Sequence, residues 1–350
     1  MAASFFDLSS RPIDRRRFLA GAAGAAALAG LAACSTGADK PAAPASSTGP
    51  NRKKIAFAQP DTSFAGYPLL LNGAKQAAQE RGYTLLESHA NAKLDAQVSE
   101  INTWIGQEIG GIMVLPLDNN AMAPLITKAH QNGVKILDYS DKALEGADGW
   151  VIFDNLQGAK LVGEHAGNWV NQKLGGQAQV ALLTHEVQQT GRDRINGAVE
   201  ALKKVAPGVK VVAQQEGVLS AESLTVVQSM LQAHPDINVL FCIADDGCLG
   251  AEKAFMQRNP SQERQDKMYI AGWDGTMPVF QKILAKSVIR STGALDLIKI
   301  GAASVNATAD AIEGKPAANT QISFPYVLVD QDHPEVTQDF VNRYQAITPA

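Results

Sequence analysis

The chain has 350 residues, of which 45% are hydrophobic and 19% charged, and its formal net charge is −4. That composition is ordinary for a globular protein with a substantial core and excludes a disordered chain. Beyond the arginines near its start there is no basic cluster, which argues against nucleic acid as a partner.

The amino terminus reads as an address. Arg15-Arg16-Arg17-Phe18-Leu19 runs into the small and apolar stretch Ala20 to Ala33, closing in Leu31-Ala32-Ala33-Cys34. A membrane-spanning helix needs ~20 apolar residues, and this stretch is shorter and rich in Ala and Gly. Residues 1–34 are therefore expected to be a targeting segment that is no part of the fold. Asp14-Arg15-Arg16-Arg17-Phe18-Leu19 resembles the twin-arginine export motif, read by a translocase that passes folded cargo. Leu31-Ala32-Ala33-Cys34 resembles a bacterial lipobox, whose cysteine is lipidated and becomes the first mature residue. Acyl chains on Cys34 would tether the protein to a membrane, each buried methylene contributing about 0.8 kcal/mol. The Ser, Thr, Ala, Pro and Gly of residues 35–52 carry no hydrophobic period and read as a flexible linker.

From Lys53 onward short apolar runs alternate with helical patterns. The first series has the runs Ile55-Ala56-Phe57-Ala58, Tyr83-Thr84-Leu85-Leu86, Gly111 to Leu115 and Val134-Lys135-Ile136-Leu137, with helices over Leu69–Arg81, Asp95–Gln107 and Met122–Asn132. The second has Val180-Ala181-Leu182-Leu183, Val209–Ala213, Val239–Ile243 and Met268–Gly272, with helices over Leu156–Leu174, Asp193–Val205, Ser220–Ala233 and Gly247–Arg258. Alternation of this kind predicts an α/β fold with parallel sheets covered on both faces, and two series predict two Rossmann-like lobes. Gly73-Ala74 and Gly197-Ala198, each in the first helix after a leading strand, form a faint internal echo. Once Cys34 is set aside only Cys242 and Cys248 remain. One lies on an apolar strand and the other after its turn, which favours buried free thiols over a disulfide.

Ligands of open parallel sheets sit beyond the carboxyl ends of the strands. Those ends carry Asp61 and Phe64, then Asp118, then Asp138-Tyr139; in the second series they carry His185-Glu186, Arg192-Asp193-Arg194, Asp245-Asp246 and Trp273-Asp274. A single Asp in such a place is as readily a helix cap or turn former, Asp61 and Asp118 especially. Carboxylates, an arginine and rings together suit a polyhydroxylated ligand. Carboxylates accept from neighbouring hydroxyls, a guanidinium donates in a fork, and rings such as Phe64, Tyr67 and Trp273 can cover C–H faces.

Lys53 to about Asp330 is similar to the ribose-type periplasmic binding proteins, which are related to the ligand core of lactose-repressor-type regulators. The matching stretches are Asn72-Gly73-Ala74, Leu115-Pro116-Leu117-Asp118, Leu137-Asp138, Phe153-Asp154-Asn155, Arg192-Asp193-Arg194, Ala233-His234-Pro235-Asp236, Asp245 with Leu249-Gly250-Ala251, and Gly272-Trp273-Asp274-Gly275. The resemblance implies two lobes joined by three crossings, near Asp154-Asn155, Leu295-Asp296 and Phe324. One lobe would comprise residues 53–154 and 296–324, the other 155–295 and 325–345. It also implies that Asp138, Arg194 and Asp274 reach the ligand. The chain departs from ribose binders at Tyr139, Leu115, Ala244 and Leu295, where they carry polar groups, and Asp296 stands beside the last. A different sugar or a linear polyol is expected.

The candidate substrate-binding set is thus Asp61, Phe64, Tyr67, Asp138, Tyr139, Arg194, Asp245, Trp273, Asp274 and Asp296. No cofactor, metal ligand or catalytic residue is expected, because there is no phosphate-cradling loop or nucleophile elbow and His185-Glu186 lacks the second His of a zinc helix. A regulator of the same fold would need a helix-turn-helix where the export segment stands. The expected protein is a monomeric, lipid-anchored substrate-binding subunit of an ABC importer, in the periplasm or at the outer face of the cell membrane, handing a sugar or sugar alcohol to a permease. The alternative is a sensory binding protein that docks on a receptor. Replacing Arg15 and Arg16 by Lys should leave precursor in the cytoplasm, and Cys34→Ala should abolish fatty-acid labelling; efficient export of the Lys form removes the twin-arginine reading.

Overall fold

The strands β1 (Lys54–Ala58), β2 (Thr84–Glu87), β3 (Gly111–Val114), β4 (Lys135–Ser140) and β5 (Gly149–Phe153) join β11 (Gln321–Phe324) in a six-stranded parallel sheet of order β11-β5-β4-β3-β1-β2. A second sheet repeats that order, β12-β10-β9-β8-β6-β7, from β6 (Gln179–Thr184), β7 (Lys210–Glu216), β8 (Ile237–Cys242), β9 (Tyr269–Asp274), β10 (Ile289–Ala294) and β12 (Val327–Asp330). Among the described strands only β12 is antiparallel to its neighbour. These assignments come from a computed structural model that describes residues 50–140 and 142–347. The targeting segment, Cys34 and nearly all of the 35–52 linker lie outside the described residues.

The central strands β1, β3 and β8 are largely apolar because helices cover both faces of each sheet. In β1 and β3, for example, Ile55 to Ala58 and Ile112 to Val114 are wholly buried. In the first lobe, α1 (Tyr67–Arg81) and α10 (Leu297–Ile312) pack together on one face. On the other, α2 (Leu94–Gly106) and α3 (Met122–Gln131) bury Ile101, Trp104, Ile105, Met122 and Leu125 in a core of their own. In the second lobe α4 (Asn155–Leu174) pairs with α5 (Gln189–Val205), and α6 (Ser220–Ala233) with α7 (Asp245–Met256). The short α8 (Gln262–Asp266), then α9 (Met277–Leu284) and α11 (Pro334–Ile347) complete it. Cys242 and Cys248 are buried free thiols.

The chain passes between the sheets three times: from β5 into α4, from β10 into α10, and from β11 into β12. Helix α5 begins at Gln189 rather than at Asp193. Its first turn, Gln189-Thr190-Gly191-Arg192, offers no apolar residue for periodicity to register, and Gly191 packs so tightly on the His185 carbonyl that a Cβ would overlap it. Helix α7 likewise begins with the carboxylates Asp245 and Asp246, which suit the positive end of a helix dipole.

The contact of α1 with α10 has no room for side chains. A Cβ on Gly301 would overlap the Leu70 carbonyl oxygen, and one on Gly73 the Ile298 carbonyl oxygen. Gly301→Ala must therefore push two backbones apart, an overpacking cost of about 1–3 kcal/mol. The melting temperature followed by circular dichroism should fall by roughly 5 °C; an unchanged value would mean the helices can separate freely.

Candidate functional site

The carboxyl ends of both sheets open onto one interlobe cleft with two adjoining chambers. The inner one, about 360 Å³, is lined from the first lobe by Gln59, Pro60, Asp61, Phe64, Leu70, Leu115, Tyr139, Phe153, Leu297 and Ile300. From the second lobe it takes His185, Arg194, Val218, Glu222, Ile243, Ala244, Asp246 and Asp274, with Leu295 at a crossing. The outer chamber, about 590 Å³, is more polar and includes Asp118, Asn119, Asn120, Lys142, Arg192 and Asp193. Leu115, Leu117, Gln188 and Thr190 border both.

Arg194, in the second turn of α5, is 6% exposed. Its Nε donates to Asn155 Oδ1 at 3.0 Å, Nη1 to the Ile243 carbonyl at 3.0 Å and to Asp274 Oδ1 at 2.9 Å, and Nη2 to the Tyr326 hydroxyl at 2.8 Å. That hydroxyl donates in turn to Asn155 Oδ1 at 2.7 Å. Burial works against the guanidinium charge, but the Tyr326 oxygen and the Asp274 carboxylate outweigh it and hold Arg194 above its usual range. Asn155 and Tyr326 stand at two of the three crossings, so the charged floor of the cleft is fastened to the hinge.

Asp274 closes β9 at φ 122° and is followed by Gly275 at φ 82°. A non-glycine residue in that region is strained by ~1–3 kcal/mol, which the surroundings must offset. Beneath it Asp245 does so: Oδ2 accepts from Gly275 N at 3.0 Å, Thr276 N at 2.7 Å and Thr276 Oγ1 at 3.0 Å, and Oδ1 from Thr292 Oγ1 at 2.7 Å. Asp246, next along α7, faces the cleft and accepts from Ala65 N of the opposite lobe at 2.8 Å. Burial raises its pKa; the Ala65 bond works the other way.

On the first lobe the Gln59 and Tyr139 side chains are buried beside each other, the Tyr139 ring stacked on Phe57 at 5.6 Å. Burial holds the Tyr139 phenol above its usual range, and its hydrogen bond with Gln59 works the other way.

Of the residues singled out from the sequence, Asp61, Phe64, Tyr139, Arg194 and Asp274 line the inner chamber. Asp61 also forms the expected turn, accepting from Ser63 N, and Asp118 caps the single helical turn Asn119–Ala121. The other five stand elsewhere. Asp138 is fully buried and accepts from Ser140 Oγ and Leu144 N. Tyr67 packs against Phe64 with ring centroids 6.4 Å apart. Asp245 is the brace just described. Trp273 is fully buried against Phe241 and Gly293. Asp296 caps α10 and pairs with Lys299 and Arg343. Gln59, His185, Glu222 and Asp246 are cleft residues the candidate set lacks.

The family model described as a periplasmic binding protein domain matches residues 55–316. The ribose import binding protein RbsB of Bacillus subtilis is 26% identical over 304 residues, 86% of this chain and 95% of that protein. A solved ABC transporter solute-binding protein from Mycobacterium smegmatis, with bound glycerol, aligns at TM-score 0.73 and 24% identity over 81% of this chain and 96% of its own. One from Actinobacillus succinogenes, with bound D-allose, aligns at TM-score 0.72 and 21% identity over 81% and 99%.

Burial and the nearby Asp274 carboxylate push Asp245 up to about 7, from an ordinary 3.8. The folded chain then keeps a proton that the unfolded chain has released, so this group makes stability fall as pH rises between about 4 and 7. In Asp245→Asn the side-chain oxygen can still accept from Gly275 and Thr276 while its amide donates to Thr292. The variant should fold and show a shallower slope in urea titrations at about pH 5 and 7; an unaltered slope assigns the titration to another group.

Proposed function

The chain belongs to the ribose-type family of periplasmic binding proteins, and on that footing we propose that it is the substrate-binding subunit of an ABC importer for a sugar or sugar alcohol. It is a solute-binding protein, as its relatives are, and not an enzyme. What carries the choice of ligand is the mixture of polar and charged side chains that both lobes bring to the inner chamber, Gln59, Asp61 and Tyr139 from the first and Arg194, Glu222, Asp246 and Asp274 from the second. Donors and acceptors from both lobes around one small chamber match a solute with neighbouring hydroxyls, and one Arg194 hydrogen stays uncommitted among its five N–H donors.

The mechanism is a population shift. The lobes pivot about the three crossings, and a ligand that touches both lobes only when they are together favours that form by its differential affinity. The Ala65–Asp246 bond links the two lobes at the cleft and breaks if they part there. A permease in the membrane reads that form, and the lipid on Cys34 keeps the exported monomer at the membrane beside it.

A thermal-shift screen of sugars and polyols identifies the ligand, which at 100 times its dissociation constant adds about 2.7 kcal/mol of stability. With it in hand, calorimetric titration after chelator treatment should show Gln59→Ala and Asp274→Asn weakened roughly tenfold or more, since each leaves ligand groups unpaired. Trp273→Phe should bind within about twofold of the parent. Parent-like affinity in both cleft variants would place the ligand elsewhere.

A further inference from the structure

A second polar cluster lies on the second lobe, at the end of its sheet remote from the cleft. Asp330 ends β12 and pairs in register with Ser291 near the start of β10, which puts it at the amino ends of the parallel strands. Its side chain is 1% exposed. Oδ1 accepts from Asp332 N and His333 N at 2.8 Å each, a turn that brings the Asp332 carboxylate round beside it. His165, in the middle of α4, faces the pair with its side chain 16% exposed. Its Nε2 lies 3.8 Å from Asp330 Oδ2 and 3.5 Å from Asp332 Oδ2, and one ligand atom from each of the three residues falls within 4.8 Å of the other two. Such separations are long for hydrogen bonds. They suit atoms that share an ion, since two ligands about 2.0–2.2 Å from a tetrahedral zinc ion lie roughly 3.3–3.6 Å apart. The imidazole is also held in place, with Nδ1 2.6 Å from the buried Tyr269 hydroxyl, itself 2.7 Å from Ser291 Oγ. In the tautomer that binds an ion, Nδ1–H donates to the Tyr269 oxygen and that hydroxyl donates to Ser291, leaving the Nε2 lone pair toward two carboxylates, a repulsion that a cation removes. His333 Nδ1, at 3.1 and 3.2 Å from the Asp330 oxygens, further orients that carboxylate. Arg290, whose charge reaches Asp332, is committed to the Met268 and Gln265 carbonyls and to Gln331 Oε1.

From this arrangement we infer that His165, Asp330 and Asp332 form a binding site for a divalent transition-metal ion of the zinc class, with a further position left to water. One imidazole and two carboxylates suit such an ion, whereas calcium takes six to eight oxygen ligands. The ion joins α4, which follows the first crossing, to the end of β12, which follows the third. It thereby fixes the antiparallel edge strand and the entry to α11 onto the body of the second lobe. Its effect is on stability, and solute binding in the cleft proceeds without it. No sequence motif discloses the site, because the histidine comes from one helix and both carboxylates from a turn far along the chain, where a zinc helix would carry two histidines one turn apart.

Titration of the untagged, chelator-treated protein with zinc chloride, in competition with a chromogenic chelator, tests it. The parent should bind zinc with a dissociation constant of roughly 10 μM or tighter, and its melting temperature should rise as zinc is added. His165→Gln and Asp332→Asn should each weaken this binding tenfold or more and remove the rise in melting temperature. His89→Gln, at an exposed histidine of the first lobe, should leave both as in the parent. The Asp332 side chain is 77% exposed, so Asp332→Asn keeps the test open should His165→Gln, which loses the Tyr269 bond, fail to fold. Cobalt(II) added in place of zinc should give the visible absorption of an ion with nitrogen and oxygen ligands, and that absorption should be lost in Asp332→Asn. A parent that binds no zinc in this range, or an Asp332→Asn variant that binds zinc as the parent does, overturns the proposal. Binding of calcium in preference to zinc overturns the assignment of the ion.

Discussion

A guanidinium that has left water must be surrounded by acceptors, and nearly everything about this cleft follows from how Arg194 meets that requirement. Breaking a buried ion pair by removing one partner costs about 3–5 kcal/mol because the other charge is stranded. Here the acceptors come from four separate parts of the chain: the first crossing, the end of β8, the end of β9 and the third crossing. A fork of fixed geometry therefore holds strand ends and hinge in register. Lysine could not replace it, having one nitrogen where four directions must be served.

The same economy appears beneath the site. Asp274 can present its carboxylate only by adopting a backbone conformation that side chains avoid, and it stays there because Asp245 grips the turn after it through two backbone N–H groups and two hydroxyls. Neighbouring residues thus divide their labour: Asp245 braces while Asp246 reaches the opposite lobe, and Trp273 fills the core while Asp274 faces the cleft.

That division explains what the sequence could and could not disclose. Alternating runs from Ile55 to Gly272 were enough for two lobes, because central parallel strands are apolar on both faces and their helices long. The edge strand β11, Gln-Ile-Ser-Phe, is half-exposed and has no hydrophobic run to mark it, and β12 offers only the three-residue run Val327-Leu328-Val329. Of the residues singled out near strand ends, Asp61, Tyr139 and Asp274 line the inner chamber, as does Arg194, which the family resemblance assigned to the ligand. Sequence position could not decide between Asp245 and Asp246, since both open a helix and only its rotation settles which turns outward. Trp273 and Asp274 were named together although adjacent strand residues point to opposite faces, a rule the sequence alone could have applied. Gln59 follows β1 directly and carried the same positional signal as Asp61. Asp296 was indistinguishable from a cap, and a cap it is.

Neither lobe is a continuous stretch of chain. The first sheet obtains β11 and the covering helix α10 only after the whole of the second sheet but β12 has been made, and β12 follows β11. Such long-range closure raises contact order and slows folding. During synthesis the first lobe must wait, α1 without its partner α10 and the hinge-side edge without β11, until residues 297–324 emerge. Completion of the first sheet, its covering helix and the Arg194 network therefore all depends on residues near the end of the chain, in α10, in β11 and at Tyr326.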